Sequence, residues 1–109
     1  MIDDYYISGF TVLRESTINE GGISRSTFTE IANIKARLRP LSGREIHQND
    51  KLGYETTDRI YCGISDIKSG DVILAPNGKY YEVKVVRDPM SLGHHYEIDC
   101  QYKEDFQNY

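Results

Sequence analysis

His94-His95-Tyr96-Glu97-Ile98-Asp99-Cys100-Gln101-Tyr102 alternates without a break. His94, Tyr96, Ile98, Cys100 and Tyr102 fall on one side of an extended chain, with His95, Glu97, Asp99 and Gln101 on the other. Successive side chains of a strand point to opposite faces, so this period of two predicts a strand with one face turned to a core.

Tyr80 to Arg87 repeats the pattern, with Tyr81, Val83 and Val85 set against Glu82 and Lys84. Val72-Ile73-Leu74-Ala75 precedes it, joined through Pro76-Asn77-Gly78-Lys79. Asn-Gly between two apolar runs predicts a hairpin closed by a type I′ turn, because both residues tolerate positive φ. Further upstream, Asp58 to Ser65 puts Ile60, Cys62 and Ile64 on one side, and Ser69-Gly70-Asp71 turns the chain onward. The four strands between Thr56 and Tyr102 are expected as an antiparallel meander.

Phe10 to Glu15 reads as another strand, ended by a turn at Asn19-Glu20-Gly21-Gly22. Thr27 to Arg39 fits either period. As a strand it lines up Phe28, Ala32, Ile34, Ala36 and Leu38, with Glu30 as the exception; as a helix, Ile31, Ile34 and Leu38 form a stripe. The alternation of Lys35-Ala36-Arg37-Leu38-Arg39 and the β-branched content favour the strand, which Pro40 ends. Leu41-Ser42-Gly43-Arg44-Glu45-Ile46-His47-Gln48-Asn49-Asp50-Lys51-Leu52-Gly53-Tyr54-Glu55 has no dependable period and few apolar residues. It is expected as one long mobile loop, of a length that in compact domains tends to be functional or flexible.

The expected fold is therefore all-β. One domain over residues 1–109 forms a small antiparallel β-barrel of about six short strands, with a polar C-terminal tail from Lys103 to Tyr109. Closure hides sheet edges economically at this size. A chain of 109 residues buries roughly two-thirds of its unfolded surface, enough to fold without metals or disulfides. Nine Tyr and three Phe with no Trp suit pleated surfaces and protein interfaces. A net charge of −4 argues against a protein that coats nucleic acid over its whole surface. Apolar runs are too short to span a bilayer, and the N-terminus carries no export signal. With two cysteines, this points to a cytoplasm, free buried thiols and no membrane partner.

Catalytic chemistry finds little to work with. His94 and His95 point to opposite faces, and His47 has no nucleophile motif nearby, so no hydrolytic triad is expected. Cys62 and Cys100 share the apolar faces of their strands with His94, but structural zinc favours close pairs such as C-x-x-C. They read as core thiols. Gly21-Gly22 opens no phosphate cradle. The carboxylate pairs Asp3-Asp4 and Asp66 with Asp71 read as solvated turns, and no cofactor is expected. Lys35, Arg37 and Arg39 are more informative: with Arg44 close behind, they line one strand face at two-residue spacing. Like charges in register repel unless something negative faces them, whether DNA phosphate or an acidic neighbouring subunit. A solvated edge strand that uses charge to resist aggregation fits equally well.

Leu38-Arg39-Pro40-Leu41-Ser42-Gly43-Arg44-Glu45, following Thr27-Phe28 and Ala36, resembles the signature of the head-closure proteins of tailed bacteriophages, also called head-completion, stopper or head–tail joining proteins. Ser65-Asp66-Ile67-Lys68-Ser69-Gly70-Asp71 and Gly78-Lys79-Tyr80-Tyr81-Glu82-Val83 match its later turn and hairpin in order. The match runs from Thr27 to Tyr102 and departs at Phe28, where many relatives carry Trp. The resemblance implies a homo-oligomeric ring of small barrels beneath the portal and its adaptor protein. Such a ring seals the packaged DNA and presents a docking surface for the tail, and Leu41 to Glu55 becomes the channel plug. A small nucleic-acid-binding barrel of OB or SH3-like type, using Lys35, Arg37 and Arg39, is the alternative from another class. A tail-completion protein is the alternative within phage necks.

Overall fold

The computed structural model describes residues 6–63, 66–87 and 96–106. Six strands and one helix lie within them: β1 (Ile7–Glu20), β2 (Ile23–Pro40), α1 (Gly43–Lys51), β3 (Asp58–Cys62), β4 (Val72–Leu74), β5 (Tyr80–Arg87) and β6 (Tyr96–Tyr102). All strand pairs are antiparallel, and the sheet closes on itself as a barrel in the order β1-β2-β3-β6-β5-β4. The all-β barrel is thus the fold the alternating stretches imply, and Thr27 to Arg39 is strand throughout.

Strand order departs from the expected meander. β4, β5 and β6 do run side by side, but β3 pairs with β2 and β6 and never with β4. The chain from Cys62 to Val72 crosses to the far side instead, where β4 meets β1 and completes the ring. The β4–β5 hairpin is also one residue longer than a type I′ turn. Gly78 N–H donates to the Ala75 carbonyl at 3.0 Å, with Pro76 and Asn77 between them and Gly78 at φ 83°. That is a turn begun by proline and closed by a left-handed glycine.

Phe10, Val12, Ala36, Ile60, Cys62, Ile67, Ile73, Ala75, Tyr81, Val83, Ile98 and Cys100 fill the interior. Each large aliphatic or aromatic side chain so buried contributes about 1.5–3 kcal/mol. Both cysteines are enclosed and outside any disulfide, and burial pushes the Cys100 thiol up. His94, His95, Ile64, Asp3 and Asp4 lie outside the described residues.

Three irregularities break the alternation, the first at the start of β1, where Ile7 to Phe10 spans one residue more than Ala36 to Ile34 opposite it. Between Val12↔Ala32 and Leu13↔Glu30 the β2 strand carries one extra residue, Ile31. This accounts for the misfit of Glu30 in the sequence pattern. In β5, Val83 faces Cys100 but Val85 faces Asp99, so Lys84 is the extra residue. Val86 packs against the core in place of the Val85 expected there, and Arg87 is carried to the outer face.

β1 and β2 outrun the barrel. β4 meets β1 only from Thr11 to Leu13, and β3 meets β2 only from Ala36 to Pro40. Beyond these points the strands pair with each other as far as Glu20↔Ile23. A two-stranded arm results, reaching about 23 Å past Leu13 at ~3.3 Å per residue and ending in Gly21 and Gly22, both at positive φ.

Candidate functional site

The segment Leu41 to Glu55, expected as a long loop, is built around α1. Ser42 caps it. Its hydroxyl accepts from the Glu45 amide at 3.3 Å, and the Glu45 carboxylate accepts from the Ser42 amide at 3.1 Å. Two of the backbone donors that a helix N-terminus leaves without partners are thereby satisfied. At the other end Leu52 and Tyr54 donate to the Asn49 carbonyl and Gly53 to that of Asp50, with Gly53 at φ 88°. Apolar periodicity was silent because this helix has no apolar stripe. It is held to the barrel by charge.

That attachment starts at Asp99, on the outward side of β6 yet fully enclosed. Its Oδ1 accepts from Arg59 Nε at 2.6 Å. Its Oδ2 accepts from Arg59 Nη2 at 3.3 Å, Asn49 Nδ2 at 3.0 Å and Arg87 Nη1. Arg87 Nη2 also donates to Asn49 Oδ1 at 3.2 Å, and Asn49 Nδ2 reaches Thr56 Oγ1 at 2.9 Å. Arg59 continues to Glu45 Oε2 at 2.9 Å. Glu45 in turn receives a two-pronged contact from Arg39 at 2.9 and 3.0 Å. Three arginines from three strands thus alternate with two carboxylates, and buried Asn49 ties the helix into the chain of contacts.

The charges suit one another. Burial pushes the Asp99 carboxyl up, but donation from Arg59, Arg87 and Asn49 outweighs it and holds the group below the usual range. Glu45 is drawn down to about 2, first by Arg39 and then by the Ser42 amide. The bulge at Lys84 is what admits Arg87. Were the same residues paired without a break from Val83 onward, Arg87 would stand opposite Tyr96 on the core side.

The sequence-derived site residues sort unevenly. Arg39 is engaged by Glu45 and by Tyr61, whose hydroxyl accepts from its Nε at 2.9 Å, so one member of the basic row is neutralised within its own chain. Lys35, Arg37 and Arg44 are exposed. Along the helical segment, Leu41 and Asn49 are buried and Glu45 and Ile46 half-buried, while Ser42, Gly43, Arg44, His47, Gln48, Asp50, Lys51, Leu52, Gly53, Tyr54 and Glu55 face outward. The reading of Asp66 and Asp71 as solvated turns is corrected for Asp71. That carboxylate is buried and clamps Arg14 at 3.0 and 2.9 Å, while exposed Asp66 takes the third guanidinium nitrogen at 3.0 Å. The polar tail is likewise more than polar, since Phe106 packs against Phe28 and Tyr80 at ring distances of 5.1 and 4.6 Å. Sequence reading missed Asn49, Arg59, Arg87 and Asp99 as partners. The Ser42-Gly43-Arg44-Glu45 spacing of a capping box was the available signal.

The arrangement binds and positions. Its carboxylates are neutralised by arginines rather than set against a reacting group, which suits a part shaped for assembly. The family model for phage head completion proteins matches residues 11–104, and the chain belongs to that family. It is a bacteriophage head-completion protein. The solution structure of a protein from Shigella flexneri 2a is similar in fold, with a TM-score of 0.73 at 17% identity over 89% of this chain and 92% of that one. No curated protein matches the chain.

Proposed function

We propose that this protein closes the DNA exit channel of a filled phage head. Copies form a homo-oligomeric ring below the portal-bound adaptor, the Leu41 to Glu55 segment of each turns toward the channel, and the opposite rim receives the tail. Packaged DNA in the channel meets these segments. The work is mechanical and needs no catalyst.

The observation that carries the reading is the exposed apolar end of that segment. Leu52 is 66% and Tyr54 39% exposed, projecting just past the C-terminal end of a largely polar helix that Glu45 and Asn49 fasten to the barrel. Apolar groups presented this way gain by meeting their counterparts from other subunits around an axis. Engagement of Arg39 within the chain leaves a shorter basic row than an OB-like nucleic-acid groove would use, which supports the neck reading over that alternative.

The test is genome retention. Heads filled in the absence of this protein are incubated with the purified chain, and DNA release is followed by nuclease sensitivity. Wild-type protein is expected to protect the genome. A Leu52→Ser, Tyr54→Ser variant, folded because both side chains are exposed, is expected to bind heads yet leave the DNA sensitive. Full protection by that variant overturns the assignment of the segment as the seal.

A further inference from the structure

The base of the arm formed by distal β1 and β2 is tied to the barrel through Arg14 and Phe28; past it the two strands pair with each other and with no other described strand, and a two-stranded ribbon alone in water is marginally stable. Edge strands are normally guarded by lysine, proline or very short length. Here Glu15-Ser16-Thr17-Ile18-Asn19-Glu20 and Ile23-Ser24-Arg25-Ser26 contain neither residue, and Ile23 is 66% exposed. No described strand pairs with the outer edge of β1 beyond Leu13. Beyond Arg14, whose charge is met by Asp71 and Asp66, the two strands of the arm also differ in sign: Glu15 and Glu20 lie on one, Arg25 on the other. Arg25 and Glu20 meet at 3.3 Å within the arm, but with side chains 73% and 68% exposed they hold each other weakly and can exchange partners.

We infer that the arm is the contact between copies: the acidic β1 edge of one arm pairs with the β2 side of the next, so that Glu20 of one copy faces Arg25 of its neighbour. The occupant of the edge is a second copy of this chain, because the two strands are complementary in charge to each other. Such a contact joins two different surfaces and so propagates around a ring. Backbone hydrogen bonds from the added strand supply affinity, as in other strand-addition interfaces. This deepens the ring reading proposed above and rests on it.

Charge reversal tests it. Glu20→Arg gives arms with Arg at both positions, and Arg25→Glu gives arms with Glu at both; each is expected to repel copies of itself. Sedimentation velocity across a protein dilution series should place half-assembly of either variant at about fivefold or more above the wild-type concentration. An equimolar mixture of the two should recover wild-type association, since every mixed contact pairs Arg with Glu while the repulsion inside each arm remains. Replacing residues 16–27 with Asn-Gly joins Glu15 to Phe28, which already pair, through a two-residue turn. That variant should melt like wild type and stay monomeric.

A mixture no better than its components, or a shortened variant that assembles normally, overturns the arm contact. Genome retention separates the two readings. A shortened variant that assembles and protects DNA removes the arm and leaves head closure standing. Charge-dependent assembly in a wild-type protein that fails to protect DNA supports the arm and removes head closure.

Discussion

Replacing Asp99 by Asn removes one charge without changing shape, and it should weaken the fold more than any exposed substitution. Asp99 is fully enclosed and accepts from two guanidinium groups and one amide. Removing one partner of a buried pair typically costs 3–5 kcal/mol, because the remaining charge is stranded. Two features reduce that here. Arg59 keeps Glu45 at 2.9 Å, and the Arg87 side chain is 34% exposed and can rehydrate. An asparagine amide must also aim one of its hydrogens at a donor, since Arg59, Arg87 and Asn49 all present N–H groups to this point. About 2–4 kcal/mol is the expected loss. Unfolding entropy of roughly 0.2 kcal/mol per degree for a chain of this length converts it to a drop in Tm of about 10–20 °C. Thermal and urea melts followed by circular dichroism measure it, with Asp66→Asn as the exposed control, expected within about 0.5 kcal/mol of wild type. Amide exchange should speed most in Glu45 to Lys51, since Asn49 loses its anchor. A variant within 1 kcal/mol of wild type in about the same assay error, with α1 exchange unchanged, refutes the view that Asp99 fastens the helix.

Acid should release α1 through Glu45. Its carboxyl lies at about 2 in the folded chain against 4.5 as its ordinary value, so its contribution is complete at neutral pH and lost as the pH falls through that interval; helix-region exchange or backbone NMR shifts should move there, and Glu45→Gln should abolish that part of the change. Phe106→Ala should cost about 1–2 kcal/mol by removing two aromatic contacts at a half-buried site, read by chemical melts, with Phe28 and Tyr80 resonances shifting and those of the barrel interior unmoved.

The barrel was legible because its interior is apolar and its strands alternate: Ile60, Cys62, Ile98 and Cys100 occupy the inward places that period two assigns them. What escaped was polar. α1 has almost no apolar face, so its polarity looked like that of a loop, although it packs on a surface that is itself charged. Asp99 sat on the strand face turned away from the core, and nothing local to β6 reveals that Arg59 and Arg87 arrive from two other strands. Strand order failed for a related reason, since a short link between β3 and β4 fixes their nearness along the chain but not the choice of neighbour. The 41–55 segment was singled out by its lack of pattern, and the arm was not, because a long hairpin alternates as an ordinary one does.

The extra residue at Lys84 gives β5 two reading frames. Before it, odd-numbered positions such as Tyr81 and Val83 belong to the core; after it, even-numbered Val86 does, and Arg87 belongs to the helix. Deleting Lys84 would merge the frames with Val83 still opposite Cys100, Val86 opposite Ile98 and Arg87 opposite Glu97, so the guanidinium would stay on the outer face beside Asp99. Random deletion scanning should therefore find loss of Lys84 far milder than loss of Glu82, which would turn Val83 outward and Lys84 toward the core. That one position is where β5 can shorten without moving either the core or the arginine that anchors the helix.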